Sequence, residues 1–199
     1  LVAAAHGYDA LMASIRPTEK LPGKKAAIIG GGPTGIAAAY FLARGGVQTT
    51  IFEREEKLGG VPRYVIPAFR ISDEALDKDV ALMERLGVEV KCGAPAPSVA
   101  ELKKMGYTHI LLATGAWQAG ELGIPGNVRG VIAWMKEMKQ QVKPCLEGHV
   151  VVVGAGNTAM DAARVAKRMG AASSTIVYRR TKKEMPADEH ELKLAIDEG

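Results

Sequence analysis

The stretch AAIIGGGPTGIAAAYFLARGGVQTTIFE, residues 26–53, reads as strand, tight turn, helix and strand. An apolar run opens at Lys25, a glycine cluster follows, small residues then repeat with helical spacing from Pro33 to Arg44, and QTTIFE is a second short apolar run. Gly30-x-Gly32-x-x-Gly35 falls directly after the first strand and at the mouth of the helix, where each glycine has a physical task. Gly30 permits the tight turn. Gly32 lets a diphosphate approach the backbone, and Gly35 lets the helix pack close to the strand. Free NH groups at the helix start, around Thr34, would hold the phosphates. Pro33 suits the first helical turn, where its missing NH is not needed. Glu53 ends the second strand 18 residues after Gly35. A carboxylate there accepts from both ribose hydroxyls of an adenosine and repels a phosphate on that ribose.

The same pattern returns in HVVVVGAGNTAMDAARVAKRMGA, residues 149–171, at a constant offset of 124 positions. Gly154 matches Gly30, Gly156 matches Gly32, and Ala159 stands where Gly35 stood. Two nucleotide-binding units are therefore expected. The partner of Glu53 is Val177, followed by Tyr178, Arg179 and Arg180. Losing the acid and gaining guanidinium groups favours a ribose carrying a 2′-phosphate, so NADPH is expected over NADH. The alternative for this basic run is a solvated strand end. Asn157 and Thr158 open the second helix, where they would cap it or meet the diphosphate. Asp161 suits a packing role as well as a ligand role.

Around these units the chain divides into an N-terminal helix over residues 2–15 with a connector to 24, a first unit over 25–116, a glycine-rich linker over 117–130, and a second unit over 131–199. SDEALDKDVALMERLG, residues 72–87, is an amphipathic helix with Ser72 as N-cap and Gly87 past its end. YTHILLATG, residues 107–115, is expected to be a buried strand, and the stretch rich in Gly, Pro and Arg before Ser72 a loop. The expected fold class is α/β, with two Rossmann-like dinucleotide-binding units; because the chain opens on Leu1 and stops at Gly199, it is expected to be cut at both ends.

Composition excludes other classes. The 199 residues are 47% apolar and carry 26 Lys plus Arg against 22 Asp plus Glu, a net charge of +4. That suffices for packed cores and argues against disorder or a nucleic-acid partner. Cys92 and Cys145 lie 53 positions apart, so neither a CxxC dithiol nor a metal site is expected. No apolar run approaches the roughly 18 residues of a membrane helix, and no secretory leader is visible, so a cytoplasmic protein is expected.

Taken together, GGGPTG at 30–35, FERE at 52–55, LGGVPRYVIPAFR at 58–70, ILLATGA at 110–116, VGAGNTAMD at 153–161 and YRRTKKEMPA at 178–187 resemble the glutamate synthase small subunit family of NADPH/FAD oxidoreductases. That family also includes the flavin module of dihydropyrimidine dehydrogenase and selenate reductase iron-sulfur subunits, the last being the nearest likeness. The resemblance implies FAD on the first unit and NADPH on the second. It places Gly30, Gly32, Pro33, Glu53 and Arg54 at the FAD adenosine and diphosphate, and Leu58, Gly59 and Gly60 along the pyrophosphate and flavin. Arg63, Ile66 and Arg70 would lie in the loop beneath the flavin. Ala113, Thr114 and Gly115 would form the turn that leaves the FAD unit. On the NADPH side it implies Gly154, Gly156, Asn157, Thr158, Arg179 and Arg180. The family's cysteine-rich iron-sulfur segments and its returning FAD segment are not in this sequence, so an electron-accepting iron-sulfur domain or subunit is expected outside it. No catalytic side chain is expected, because hydride transfer between two cofactors needs none at the reacting carbon. A dinucleotide-binding or assembly module without turnover, and a flavin monooxygenase, are the rival readings.

Overall fold

The structure, a computed structural model, describes residues 7–118, 120 and 122–199, in two compact units. The first holds the described residues up to Tyr64 together with Ala68–Ala116; the second holds Val65–Pro67 and the described residues from Trp117 onward. The expected N-terminal helix is present as α1 (Tyr8–Ser14), while residues 2–6 of that expectation lie outside the described residues.

In the first unit, β1 (Lys25–Ile29) leads through the glycine turn to α2 (Pro33–Arg44) and β2 (Gln48–Phe52). Then come α3 (Gly60–Tyr64), α4 (Asp73–Arg85), β3 (Glu89–Lys91), α5 (Val99–Lys104) and β4 (His109–Leu112). All four strands are parallel in the order β3-β2-β1-β4, with Ile28 opposite Ile51 and Leu111. The period of two sorts side chains to the two faces. Ile28 and Ile51 pack with Ala39, Ala43, Met83 and Leu86, whereas Ala27 and Phe52 pack with Leu102 and Tyr107. Each large apolar side chain buried this way contributes about 2 kcal/mol. Two helices start where their caps dictate: Ser72 accepts from Ala75 N at 3.2 Å, and Ser98 and Glu101 form a reciprocal capping box.

Two expectations are corrected here. β4 is not buried, since Leu112 is 67% exposed. It is the edge strand of its sheet, and an apolar run does not encode edge or centre. Part of the stretch read as a loop before Ser72 is the five-residue helix α3, too short to show a period.

In the second unit, α6 (Val131–Gln140) precedes β5 (His149–Val153), α7 (Asn157–Arg168) and β6 (Ser173–Val177). A single 3₁₀ turn (Lys182–Glu184) and α8 (Glu189–Asp197) follow. β5 and β6 pair in parallel, with Val153 opposite Val177. α7 buries Ala159, Met160, Ala162, Ala163 and Ala166. α8 is held to α7 by Glu198, which takes Arg164 Nη2 at 2.6 Å and Arg168 Nε at 2.9 Å.

Candidate functional site

Gly30 and Gly154 both require glycine, with φ of 108° and 136°. A Cβ on Gly30 would also strike the Ala113 carbonyl oxygen at 2.3 Å. On Gly35 it would strike the Gly30 carbonyl oxygen at 2.0 Å. These glycines are demanded by packing within the protein. Gly32 and Gly156 differ. Their backbones are extended, with φ of −76° and −86°, which any residue adopts. A Cβ at Gly32 would meet nothing nearer than 3.9 Å, and at Gly156 nothing within 4 Å. The fold leaves open space in front of both positions, at the first turn of a helix that no side chain caps. Such a cradle fits an anionic diphosphate, which takes the unpaired NH groups and needs the missing Cβ.

The first turn is backed by a second glycine pair. Gly59 N donates to Gly31 O at 2.8 Å, and a Cβ on Gly60 would lie 2.8 Å from Gly32 Cα. Gly30, Gly32, Leu58, Gly59, Gly60, Glu53, Ala113 and Thr114 are therefore assembled around one turn. Glu53 is buried, and its oxygens accept from Gly31 N at 2.6 Å and Glu55 N at 2.9 Å. One lone pair of each oxygen is thus used on the backbone, which fixes the carboxylate at the strand end. Gly31 escaped the sequence reading. Its NH orients Glu53, and a Cβ there would strike Leu58 Cδ2 at 2.2 Å.

The other expected residues have varied surroundings. Arg54 is exposed and lies 3.8 Å from Glu55. Pro33 and Thr34 are exposed at the start of α2, and Thr114 and Gly115 are exposed after β4. Arg63 is buried, donating to Leu58 O and, at 2.5 Å, to Asp77. Its Nη1 is 3.6 Å from Asp73 and makes no hydrogen bond. Arg63 therefore buckles the Leu58–Gly60 segment to α4, a task invisible in sequence because Asp77 lies 14 positions on. Arg70 is half-buried in the first unit. Ile66 groups instead with the second unit, where its carbonyl accepts from Lys139 Nζ at 2.6 Å.

At the second turn, Asn157 Oδ1 accepts from Asp188 N at 2.9 Å, which ties this side chain to the segment before the last helix and uses one lone pair of its carbonyl. Thr158 is exposed beside it. Asp161 is buried on α7, which favours packing over ligand contact. Arg179 and Arg180 are exposed just past β6 and make no hydrogen bond or ion pair with the described residues. Sequence reasoning also missed Glu184, although Thr181-x-x-Glu184 carries the capping-box spacing. Both thiols are free, and among the described residues no cluster of three or more His, Cys, Asp or Glu could hold a metal. No helix among them is long and apolar enough to cross a membrane.

A family model described as pyridine nucleotide-disulphide oxidoreductase matches residues 24–198. The chain belongs to that family. The Escherichia coli K12 protein YgfK is 42% identical over 178 residues, covering 87% of this chain and 17% of its own length. The beta subunit of the Geobacter sulfurreducens NADPH-Fe(3+) oxidoreductase is 36% identical, covering 98% and 31% respectively. A Halomonas elongata glutamate synthase [NADPH] small chain is 36% identical, covering 88% and 41%. The likeness to glutamate synthase small subunits thus stands. The chain spans less than half the length of each of these relatives. Among solved structures, a 2-naphthoyl-CoA reductase complex shares the fold, with a TM-score of 0.69 over 96% of this chain and 28% of that one at 19% identity.

Proposed function

We propose that the chain is the cofactor-binding part of an NADPH-dependent flavin oxidoreductase, with FAD at the Gly30–Gly35 turn and NADPH at the Gly154–Ala159 turn. Open space before Gly32 and Gly156, where the fold itself does not require glycine, is the observation that carries this reading. The different strand ends support the assignment of cofactors. Buried Glu53 offers a fixed carboxylate to an unmodified ribose, whereas Arg179 and Arg180 offer charge-assisted bonds to a 2′-phosphate. Family membership, and relatives whose names contain NADPH, support it as well.

When bound, the two cofactors supply the chemistry, a hydride passing from nicotinamide to flavin. This chain's residues bind and orient. The uncapped helix starts receive the diphosphates, Glu53 holds one ribose, and Arg63 fixes the Leu58–Gly60 wall through the Leu58 carbonyl. The onward acceptor in this reading is an iron-sulfur domain or subunit outside the sequence, consistent with relatives named as subunits or small chains. Cys92 and Cys145 are both free thiols, one in each unit.

Replacing Arg179 and Arg180 by Ala tests the reading. The Kd for NADP⁺ should rise about tenfold or more, as expected for losing charge-assisted phosphate contacts, and that for NAD⁺ should stay unchanged. An unaltered NADP⁺ to NAD⁺ ratio removes those arginines from the coenzyme site.

A further inference from the structure

Between the end of β6 and Met185, the chain places four cations, Arg179, Arg180, Lys182 and Lys183, beside one acid, Glu184. All five are exposed, and the side chains of the four cations make no hydrogen bond or ion pair with the described residues. Like charges this close in sequence repel, so a loop with no closure would spread its cations apart. The closure is supplied by Glu184. Its Oε2 accepts from Thr181 N at 3.1 Å and from Thr181 Oγ1 at 3.0 Å. Its own NH donates to Thr181 O at 3.0 Å, and its carbonyl accepts from Tyr178 Oη at 2.9 Å. The far side of the loop is tied to the glycine turn. Ala187 N donates to Ala155 O at 3.0 Å, and Asp188 N donates to Asn157 Oδ1 at 2.9 Å.

We propose that Glu184 is a specificity-positioning residue, holding the Arg179–Lys183 loop in the one shape that receives a ribose 2′-phosphate; this rests on the coenzyme reading above. A nucleotide lying with its diphosphate at Gly156 presents the 2′-phosphate at a distance set by its own bonds. The receiving cations must therefore stand at a fixed reach from that turn. The ties through Ala155 and Asn157 fix the loop's base, and the bonds through Glu184 fix its tip. A carboxylate within a phosphate site costs attraction, so its presence there is accounted for by the hydrogen bonds it accepts.

Geometry and charge can be separated by experiment. Glu184→Gln keeps an acceptor oxygen and removes the charge; Glu184→Ala removes both. The probes are adenosine 2′,5′-bisphosphate and 5′-AMP, titrated into the full chain by calorimetry, with far-UV circular dichroism confirming the fold. Glu184→Ala should weaken bisphosphate binding about fivefold, the loss expected for an opened capping box, and leave 5′-AMP unchanged. Thr181→Val, which removes the Oγ1 bond and keeps the NH bond, should reproduce part of that loss. Glu184→Gln should bind the bisphosphate at least as tightly as the parent. The proposal is overturned if Glu184→Ala binds the bisphosphate undiminished, or if it loses 5′-AMP equally. A parent protein that fails to prefer the bisphosphate over 5′-AMP overturns the coenzyme reading and this proposal together. A parent that prefers it, loses that preference on Arg179→Ala and keeps it on Glu184→Ala overturns this proposal alone.

Discussion

At the scale of single residues, the two glycine turns contain two kinds of glycine. Gly30 and Gly35 are there for the protein, because an added methyl at either meets backbone oxygen at 2.3 Å or less. Gly32 and Gly156 are not demanded by the protein around them, since their φ values and free surroundings admit alanine. Substitution should separate them. Gly30→Ala and Gly35→Ala should each lower stability by about 2 kcal/mol or more, through strain and forced separation of backbone. Gly32→Ala and Gly156→Ala should leave stability unchanged or raise it by about 0.5 kcal/mol, because alanine restricts the unfolded chain. Each should nevertheless abolish dinucleotide binding at its own turn. Urea melts paired with FAD and NADP⁺ titrations check this; destabilised Gly156→Ala protein with intact NADP⁺ binding would reverse the argument. The spacing Gly-x-Gly-x-x-Gly made the turns legible in the sequence. The place of Gly31, whose NH holds Glu53 and whose missing Cβ makes room for Leu58, was not, because that depends on what lies opposite.

At the scale of elements, legibility followed local chemistry. The helix announced by Ser72 begins where its cap stands, since a cap is a local hydrogen bond. Exposure of β4 and the inward turn of Arg63 depend on strands and helices far along the chain, and no local pattern reports them. The attachment of α8 is a similar long-range device. Paired guanidinium groups of Arg168 and Arg164 hold the Glu198 carboxyl down at about 2, from an ordinary 4.5. A carboxyl whose pKa is depressed on folding stabilises fully above its unfolded pKa and loses that contribution as pH falls toward its folded pKa. Glu198→Gln should therefore cost about 1 kcal/mol at pH 7, a value kept small by the partial exposure of the pair. The difference between variant and parent should shrink from pH 4.5 downward and vanish near pH 2. Urea midpoints of both proteins across that range measure it, and a gap that stays constant would remove Glu198 from the attachment of α8.

At the scale of the whole molecule, the residues around each turn, Ile66 aside, belong to one compact unit. A ligand that binds only folded protein stabilises the unit that holds it, by about 2.7 kcal/mol at a hundred times its Kd. Amide hydrogen exchange resolves where that stabilisation falls. FAD should slow exchange in β1, the start of α2 and the Phe52–Gly60 segment, with β5 and α7 unchanged. NADP⁺ should slow exchange in β5, the start of α7 and residues 178–188, with β1 and β2 unchanged. The Arg179 and Arg180 replacements should remove the second pattern and preserve the first. Protection of the Gly154 turn by FAD would mean that Glu53 and the arginine pair had been assigned to the wrong nucleotides, because nothing else in the two repeated strand, turn and helix units distinguishes their ligands so sharply. Protection spread evenly over both units by either ligand would instead mean that the turns do not act as separate sites.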